Sequence, residues 1–149
     1  MKTARLFGAA LAAAATATST VTLAQDRGAA VFEQHCVVCH AAKGEGNPGF
    51  APKLAGNLAE RARKSTGHTY FAQLVVSGMM GPIVSGGEKF NDAMPSFAAL
   101  PDEDIVAVLG YVLGDLNGVA ADQRVTPQDV AAARQRALPP NEVRKLRDR

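Results

Sequence analysis

Tryptophan is absent, cysteine occurs only twice, and aromatic residues make up 5% of the 149 positions. Two cysteines are too few for a disulfide scaffold. So few aromatics mean that the core is aliphatic, or that something other than side chains fills it. A large excess of one charge is missing too. The formal net charge is +2, which excludes a strongly basic nucleic-acid binder. Beyond the first two dozen residues no apolar run is long enough to span a bilayer, and no internal repeat is visible. What remains is 47% hydrophobic and 20% charged residues. That is a globular composition in a length that suits one domain.

The first 24 residues stand apart. Lys2 and Arg5 form a positive start, and residues 6–15 (LFGAALAAAA) are apolar. A Thr-rich stretch then ends at Thr22-Leu23-Ala24, where small residues at the −3 and −1 positions fit signal-peptidase cleavage after Ala24. The run is short and mostly alanine, unlike a membrane anchor. No Cys follows the cleavage site, so a lipid anchor is not indicated. Cleavage leaves a chain with balanced charge. Residues 25–120 carry 7 Lys/Arg against 10 Asp/Glu, whereas residues 121–149 carry 7 against 4. The body is mildly acidic and the tail mildly basic.

The pattern along the chain is helical. Asp26 is expected to cap a helix reaching Val38, with Gly28, Phe32 and Cys36 on one face. Residues 41–57 are rich in Gly, Pro and Asn and read as a long loop, and a loop of that length usually has a functional reason. A short helix is expected over 58–64 and another over 69–77, stopped by Gly78. Residues 79–95 form a second irregular stretch in which Ile83-Val84 could pair as a short extended piece. Residues 102–116 give the strongest helix, with three acids in its first turn and an apolar stripe from Ile105 to Leu116. In the tail, Thr126-Pro127-Gln128-Asp129 starts a helix to about residue 137, and Pro139-Pro140 breaks it.

Cys36-Val37-Val38-Cys39-His40 is C-x-x-C-H, the attachment motif of a c-type haem. Two thiols on one helical turn match the two vinyl groups on one haem edge. The adjacent His then reaches the iron from the same side, so His40 is the expected proximal ligand. Structural zinc would need four ligands, and there is no second Cys pair. A thiol redox pair would need a βαβ setting, which this helical pattern lacks. The sixth position has three Met candidates, Met79, Met80 and Met94. Core packing is the usual role of Met and is the reading for Met79 and Met80. Met94-Pro95 lies in the irregular stretch before the strong helix, where the sulfur can reach the distal face. A thioether there favours ferrous iron and raises the potential.

With these residues in view, the body of the chain, about residues 26–117, resembles a class I c-type cytochrome domain. Gly28, Phe32, Cys36, Cys39 and His40 match its first-helix pattern. Residues 91–97 (NDAMPSF), with Leu100 and the acidic start at 102–104, match its Met-ligand segment. Gly110-Tyr111 matches the place where its last helix crosses the first. The resemblance implies that Gly28 and Phe32 meet Val108, Gly110 and Tyr111. It also implies that the carbonyl of Pro52 accepts a hydrogen bond from His40 and sets the ring orientation. Pro101 departs from the pattern, standing where a Ser or Thr cap is common. Residues 82–95 (PIVSGGEKFNDAMP) are similar to a subset of these domains that accompany or are fused to periplasmic metalloenzymes, including dehydrogenases and nitrite reductases.

Other residues carry plainer readings. His68 is an alternative ligand with a weaker context than Met94, and His35 is a surface residue. Tyr70 and Phe71 belong to the core or the haem-pocket wall. Arg61, Arg63 and Lys64 form a solvated helix face, from which no propionate partner can be picked. Lys43, Lys53 and Lys89 do not form a basic ring. The tail has two readings: a solvated helix packed loosely on the domain, or a docking element using Val130, Ala133, Ala137, Val143 and Leu146.

The expectation is an all-α, cytochrome c-like domain of four to five helices around one haem c, attached through Cys36 and Cys39. Residues 1–24 are the leader, 25–118 the domain, and 119–149 a basic helical extension. The haem-binding residues are Cys36, Cys39, His40, Met94 and Pro52, with His40 and Met94 on the iron and no catalytic residues. The expected function is outer-sphere electron transfer in the periplasm. The protein would be a soluble carrier or the electron-transfer subunit of a dehydrogenase, and the tail favours the subunit. Donors would be a dehydrogenase or respiratory complex, acceptors an oxidase or reductase, with no nucleic acid and no membrane span after cleavage. The alternative is a haem sensor or peroxidase-like protein with an exchangeable sixth ligand.

Overall fold

A computed structural model describes the backbone of residues 19–148 and the side chains of residues 27–148. Residues 1–18 of the expected leader, and the side chains at its cleavage site, lie outside the described residues. Seven α-helices occur among the described residues: α1 (Ser19–His35), α2 (Val37–His40), α3 (Ala59–Ala62), α4 (Gly67–Ser77), α5 (Asp102–Gly110), α6 (Pro127–Gln135) and α7 (Pro140–Arg147). The strands β1 (Ile83–Ser85) and β2 (Glu88–Phe90) pair antiparallel, with Ile83 opposite Phe90. The architecture is mainly α, and none of the described helices is long and apolar enough to cross a membrane.

Two boundaries differ from expectation near the haem motif. The helix expected to start at Asp26 is already helical from Ser19, so Asp26 lies inside α1 and not at its start. The same helix stops at His35, short of Val38. Cys36 sits at a turn with φ −114°, and α2 restarts the coil over Val37–His40. The Cys36 carbonyl accepts from both Cys39 N (3.2 Å) and His40 N (2.9 Å). The two thiols are therefore presented from a tight turn rather than from the middle of one long helix.

Helices α1 and α5 cross closely. A Cβ on Gly28 would lie 2.3 Å from the Ala107 carbonyl oxygen and 2.8 Å from Tyr111 Cβ. Only a residue without a side chain fits there. The rings of Phe32 and Tyr111 meet at 5.4 Å. Gly110 does not take part as expected: a Cβ there would meet nothing within 4 Å. The close approach falls at Ala107 and Tyr111, one turn apart on one face of the helix, and Gly110 lies on the neighbouring face.

The helix expected over 102–116 is α-helical to Gly110 and widens into a π turn over Tyr111–Asp115. Asn117 fixes that end, donating to the Val112 carbonyl at 2.7 Å while its own Oδ1 accepts from Leu58 N at 2.8 Å. The helix starts at Pro101 without a side-chain cap. Its first turn is held instead by Arg134 of α6, which donates to Asp102 Oδ1 (2.5 Å), Ala98 O (2.7 Å) and Leu100 O (2.5 Å).

The tail is not loosely packed: of the residues read as its apolar faces, Val130, Ala133 and Val143 are buried and Leu146 is half-buried, while Ala137 is exposed. Val119, Val125, Val130, Ala133 and Val143 are buried in the same cluster as Phe32, Phe71, Ile105 and Leu113. Helix α6 begins with a reciprocal cap between Thr126 and Asp129. Both α6 and α7 pack on α4. Gln73 of α4 reaches the link between them, donating to Arg136 O at 2.8 Å and accepting from Leu138 N at 3.2 Å.

Candidate functional site

An apolar cavity of about 290 Å³ lies between α1, α2, α4, α5, the two irregular stretches and the end of α7. Cys36, Cys39 and His40 line it, as do Pro52 and Met94. The chain thus brings all five expected haem-binding residues to one cavity.

His40 is 8% exposed, and its Nδ1 lies 2.9 Å from the Pro52 carbonyl oxygen. A carbonyl only accepts, so Nδ1 carries the proton and Nε2 presents a lone pair. Nε2 has no partner among the described residues. Burial pushes the His40 pKa below its ordinary value, partly offset by the Pro52 contact, so the ring is neutral and able to bind a metal.

Loop 41–57 holds Pro52 in place. His40 O accepts from Gly46 N at 2.9 Å, and Gly44 O accepts from Leu54 N at 2.8 Å. The chain leaves α2 through Ala41 at φ 62° and ψ 165°, a region that residues with a Cβ rarely occupy. That conformation turns the loop back toward the His40 ring at once.

Cys36 and Cys39 are unpaired thiols. Burial, with the neighbouring Cys39 second, pushes the Cys36 thiol up to about 11. A thiol protonated at neutral pH is a poor thiolate nucleophile. That environment argues against a disulfide-exchange centre.

The segment carrying Met94 is laced to the end of α4. Met79 and Met94 exchange backbone hydrogen bonds of 3.0 and 2.9 Å. Ser96 Oγ donates to Val76 O at 2.6 Å, and Phe97 N to Val75 O at 2.9 Å. Gly78 ends α4 at φ 74°, where a Cβ would lie 2.5 Å from Met94 O. The three Met residues are thereby told apart. Met80 is 52% exposed and does not line the cavity. Met79 lines it, but its sulfur already accepts from the Tyr70 hydroxyl at 3.8 Å. Met94 lines it too, and its sulfur has no such partner among the described residues.

The remaining expectations sort as follows. His68 is away from the cavity, with its ring nitrogens on Gln123 O (3.0 Å) and Asp129 (3.4 Å). His35 is exposed at the cavity edge, against Phe97. Tyr70 and Phe71 are core residues that also form cavity wall. Arg61 is not part of a solvated face. It is half-buried over the Tyr70 ring, 5.3 Å from its centroid, and donates to the Arg147 carbonyl. Arg147 itself lines the cavity and escaped sequence reading. It comes from the far end of the chain, and nothing in local spacing connects it to the motif.

These residues fit a haem. An apolar slot has two thiols and an imidazole lone pair in one wall, a thioether in another segment, and Lys53 and Arg147 among its lining. Known proteins agree. Residues 25–114 match the model of the Cytochrome c family. A cytochrome c-552 of Thermus thermophilus is 39% identical over 124 residues, covering 81% of this chain and 83% of that protein. A second cytochrome c-552 from Thermus thermophilus is 38% identical over 122 residues, covering 80% and 92%. The chain therefore belongs to the cytochrome c family, a class I c-type cytochrome whose cofactor is covalent haem c and whose work is electron transfer.

Proposed function

We propose that this chain is an exported monohaem cytochrome in which Cys36 and Cys39 hold the haem, His40 Nε2 is the proximal ligand and Met94 sulfur the distal one. The observation that carries the assignment is the His40 ring, with Nδ1 tied to the Pro52 carbonyl and Nε2 left as an unpartnered lone pair in a cavity beside two thiols. Pro52 orients the imidazole and makes it a stronger donor. The cofactor supplies one-electron chemistry at iron. The protein supplies its ligands, a low-dielectric slot and a rigid frame. Backbone hydrogen bonds to Met79 anchor the segment that carries Met94, which supports a thioether ligand retained in both oxidation states. An unchanged ligand set is what outer-sphere transfer requires.

Residues 1–24 form the leader in this reading, and the periplasm is where the protein works. Residues 25–118 make the haem domain. Residues 119–149 are an extension whose buried valines join the same core. Its partners are redox proteins: a dehydrogenase or respiratory complex as donor and an oxidase or reductase as acceptor. Because the apolar face of the tail is used within the chain, the tail gives no preference for a bound subunit over a free carrier.

The test is purification from the periplasm followed by intact mass, redox titration and carbon monoxide exposure. The expected protein starts at Gln25, carries the mass of one haem and titrates as a single one-electron couple. Its ferrous form resists carbon monoxide. Ready uptake of carbon monoxide would replace the carrier by the sensor or peroxidase-like alternative.

A further inference from the structure

Tyr70 and Arg147 line the cavity from distant parts of the chain, and Arg61, which does not line it, backs them both. Tyr70 of α4 is 3% exposed and lines the cavity. Arg147, in the last turn of α7, lines it too. Its Nη2 donates to Val84 O at 2.7 Å, and its positive charge lies close enough to Tyr70 to act on the phenol. Arg61 of α3 lies over the Tyr70 ring and donates to the Arg147 carbonyl. Two guanidiniums thus share one phenol.

Neither guanidinium has a carboxylate within ion-pair distance among the described residues. The nearest acids are poor partners. Glu60 is exposed, and the exposed Asp148 is held by Arg144 at 3.0 Å. The other charged residues lining the cavity, Lys53 and Asp92, are also exposed. Half-burial and the neighbouring Arg147 charge push the Arg61 pKa down. Two like charges brought together out of water are costly unless an anion joins them. A haem carboxylate buried at an apolar cavity needs such a positive partner in turn.

We propose that the Arg61–Tyr70–Arg147 corner is the seat of a haem propionate, so that the final helix of the chain supplies a cofactor contact. The proposal rests on the haem reading above. Arg is the suited residue, because its planar fork can give two hydrogen bonds to one carboxylate. Val84 O takes one N–H of Arg147 and leaves others for the anion. Two effects follow. The propionate stays ionised across the neutral range, and the fixed positive charge favours ferrous over ferric iron. The role of α7 is then to position charge at the cofactor as well as to cover the core.

The experiment uses the full-length, haem-loaded protein. Midpoint potential is measured from pH 5 to 9 for wild type, Arg147→Gln, Arg61→Gln and the control Lys145→Gln. Lys145 lies on the same helix, and its exposed side chain pairs with Glu142 at 2.7 Å. Haem propionate resonances of the ferric protein are titrated in parallel. Wild type should show at least one propionate that does not titrate in this range, and a potential that varies less with pH than that of Arg147→Gln. Arg147→Gln should lower the potential and make it fall with rising pH between about pH 5 and 8, as a freed propionate ionises. Arg61→Gln should do the same more weakly, and Lys145→Gln should match wild type. An Arg147→Gln profile that coincides with Lys145→Gln overturns the proposal. So does a wild-type protein in which both haem propionates titrate near neutrality, a result that needs no variant to fold. Intact mass separates the two readings: a chain without covalent haem removes both, whereas a haem-loaded chain with flat profiles throughout removes the propionate seat alone.

Discussion

At Gly28 and Ala41 the backbone carries the constraint, and the two sites predict opposite effects. Gly28→Ala puts a methyl 2.3 Å from the Ala107 carbonyl. Helices α1 and α5 must then move apart, and overpacking of this kind costs about 2–3 kcal/mol. The expected result is a lower denaturation midpoint in the haem-loaded protein. Ala41→Gly should do the reverse. Ala41 holds φ 62° and ψ 165° with a Cβ that resists it. Relief of that strain, less the added freedom of the unfolded chain, should raise stability by about 1 kcal/mol. A chemical denaturation series measures both. Sequence could show Gly28, because it repeats with Phe32 and Cys36 at helical spacing. It could not show that Ala107 and Tyr111, not Gly110, close on it, since that depends on where two distant helices cross. Nor could it show the strain at Ala41, an ordinary residue in an unusual conformation.

Among the elements, α5 shows how a strong pattern can mislead about detail. Its apolar stripe marked a helix correctly, but the pattern is blind to the π turn that Asn117 imposes. The same helix lacks the side-chain cap that Pro101 cannot give. Arg134 substitutes for it from another helix, gathering Ala98 O, Leu100 O and the Asp102 carboxylate. Arg134→Ala should free that turn and cost about 1–2 kcal/mol, discounting the exposed part of the ion pair. Hydrogen exchange should quicken at the start of α5 while α1 stays protected. Uniform protection would contradict this role. Elements set by local chemistry, such as the α6 start at Thr126 and the α4 stop at Gly78, were legible in the sequence. Those set by a partner across the fold were not.

For the molecule as a whole, the tail is the informative part. Its composition read as basic and separable from the domain, because a count of charges does not reveal which few valines are buried. Val130 and Val143 are fully buried, and the Met80 N–H donates to Pro140 O at 3.2 Å, beside the Met79–Met94 pairing. Truncation after Gly118 removes all of this at once. Loss of several buried side chains should lower Tm by roughly 10 °C or more. A calorimetric scan that matches full length would contradict a shared core.

The central claim is that the iron sits between His40 and Met94. The direct measurement is the absorption spectrum of the ferric, haem-loaded protein in the region of the weak red sulfur-to-iron charge-transfer band, for wild type and Met94→Ala. The account predicts the band in wild type and its loss in Met94→Ala, with a lower midpoint potential in the variant. A wild-type protein without the band, or a Met94→Ala variant that keeps it, would contradict the assignment.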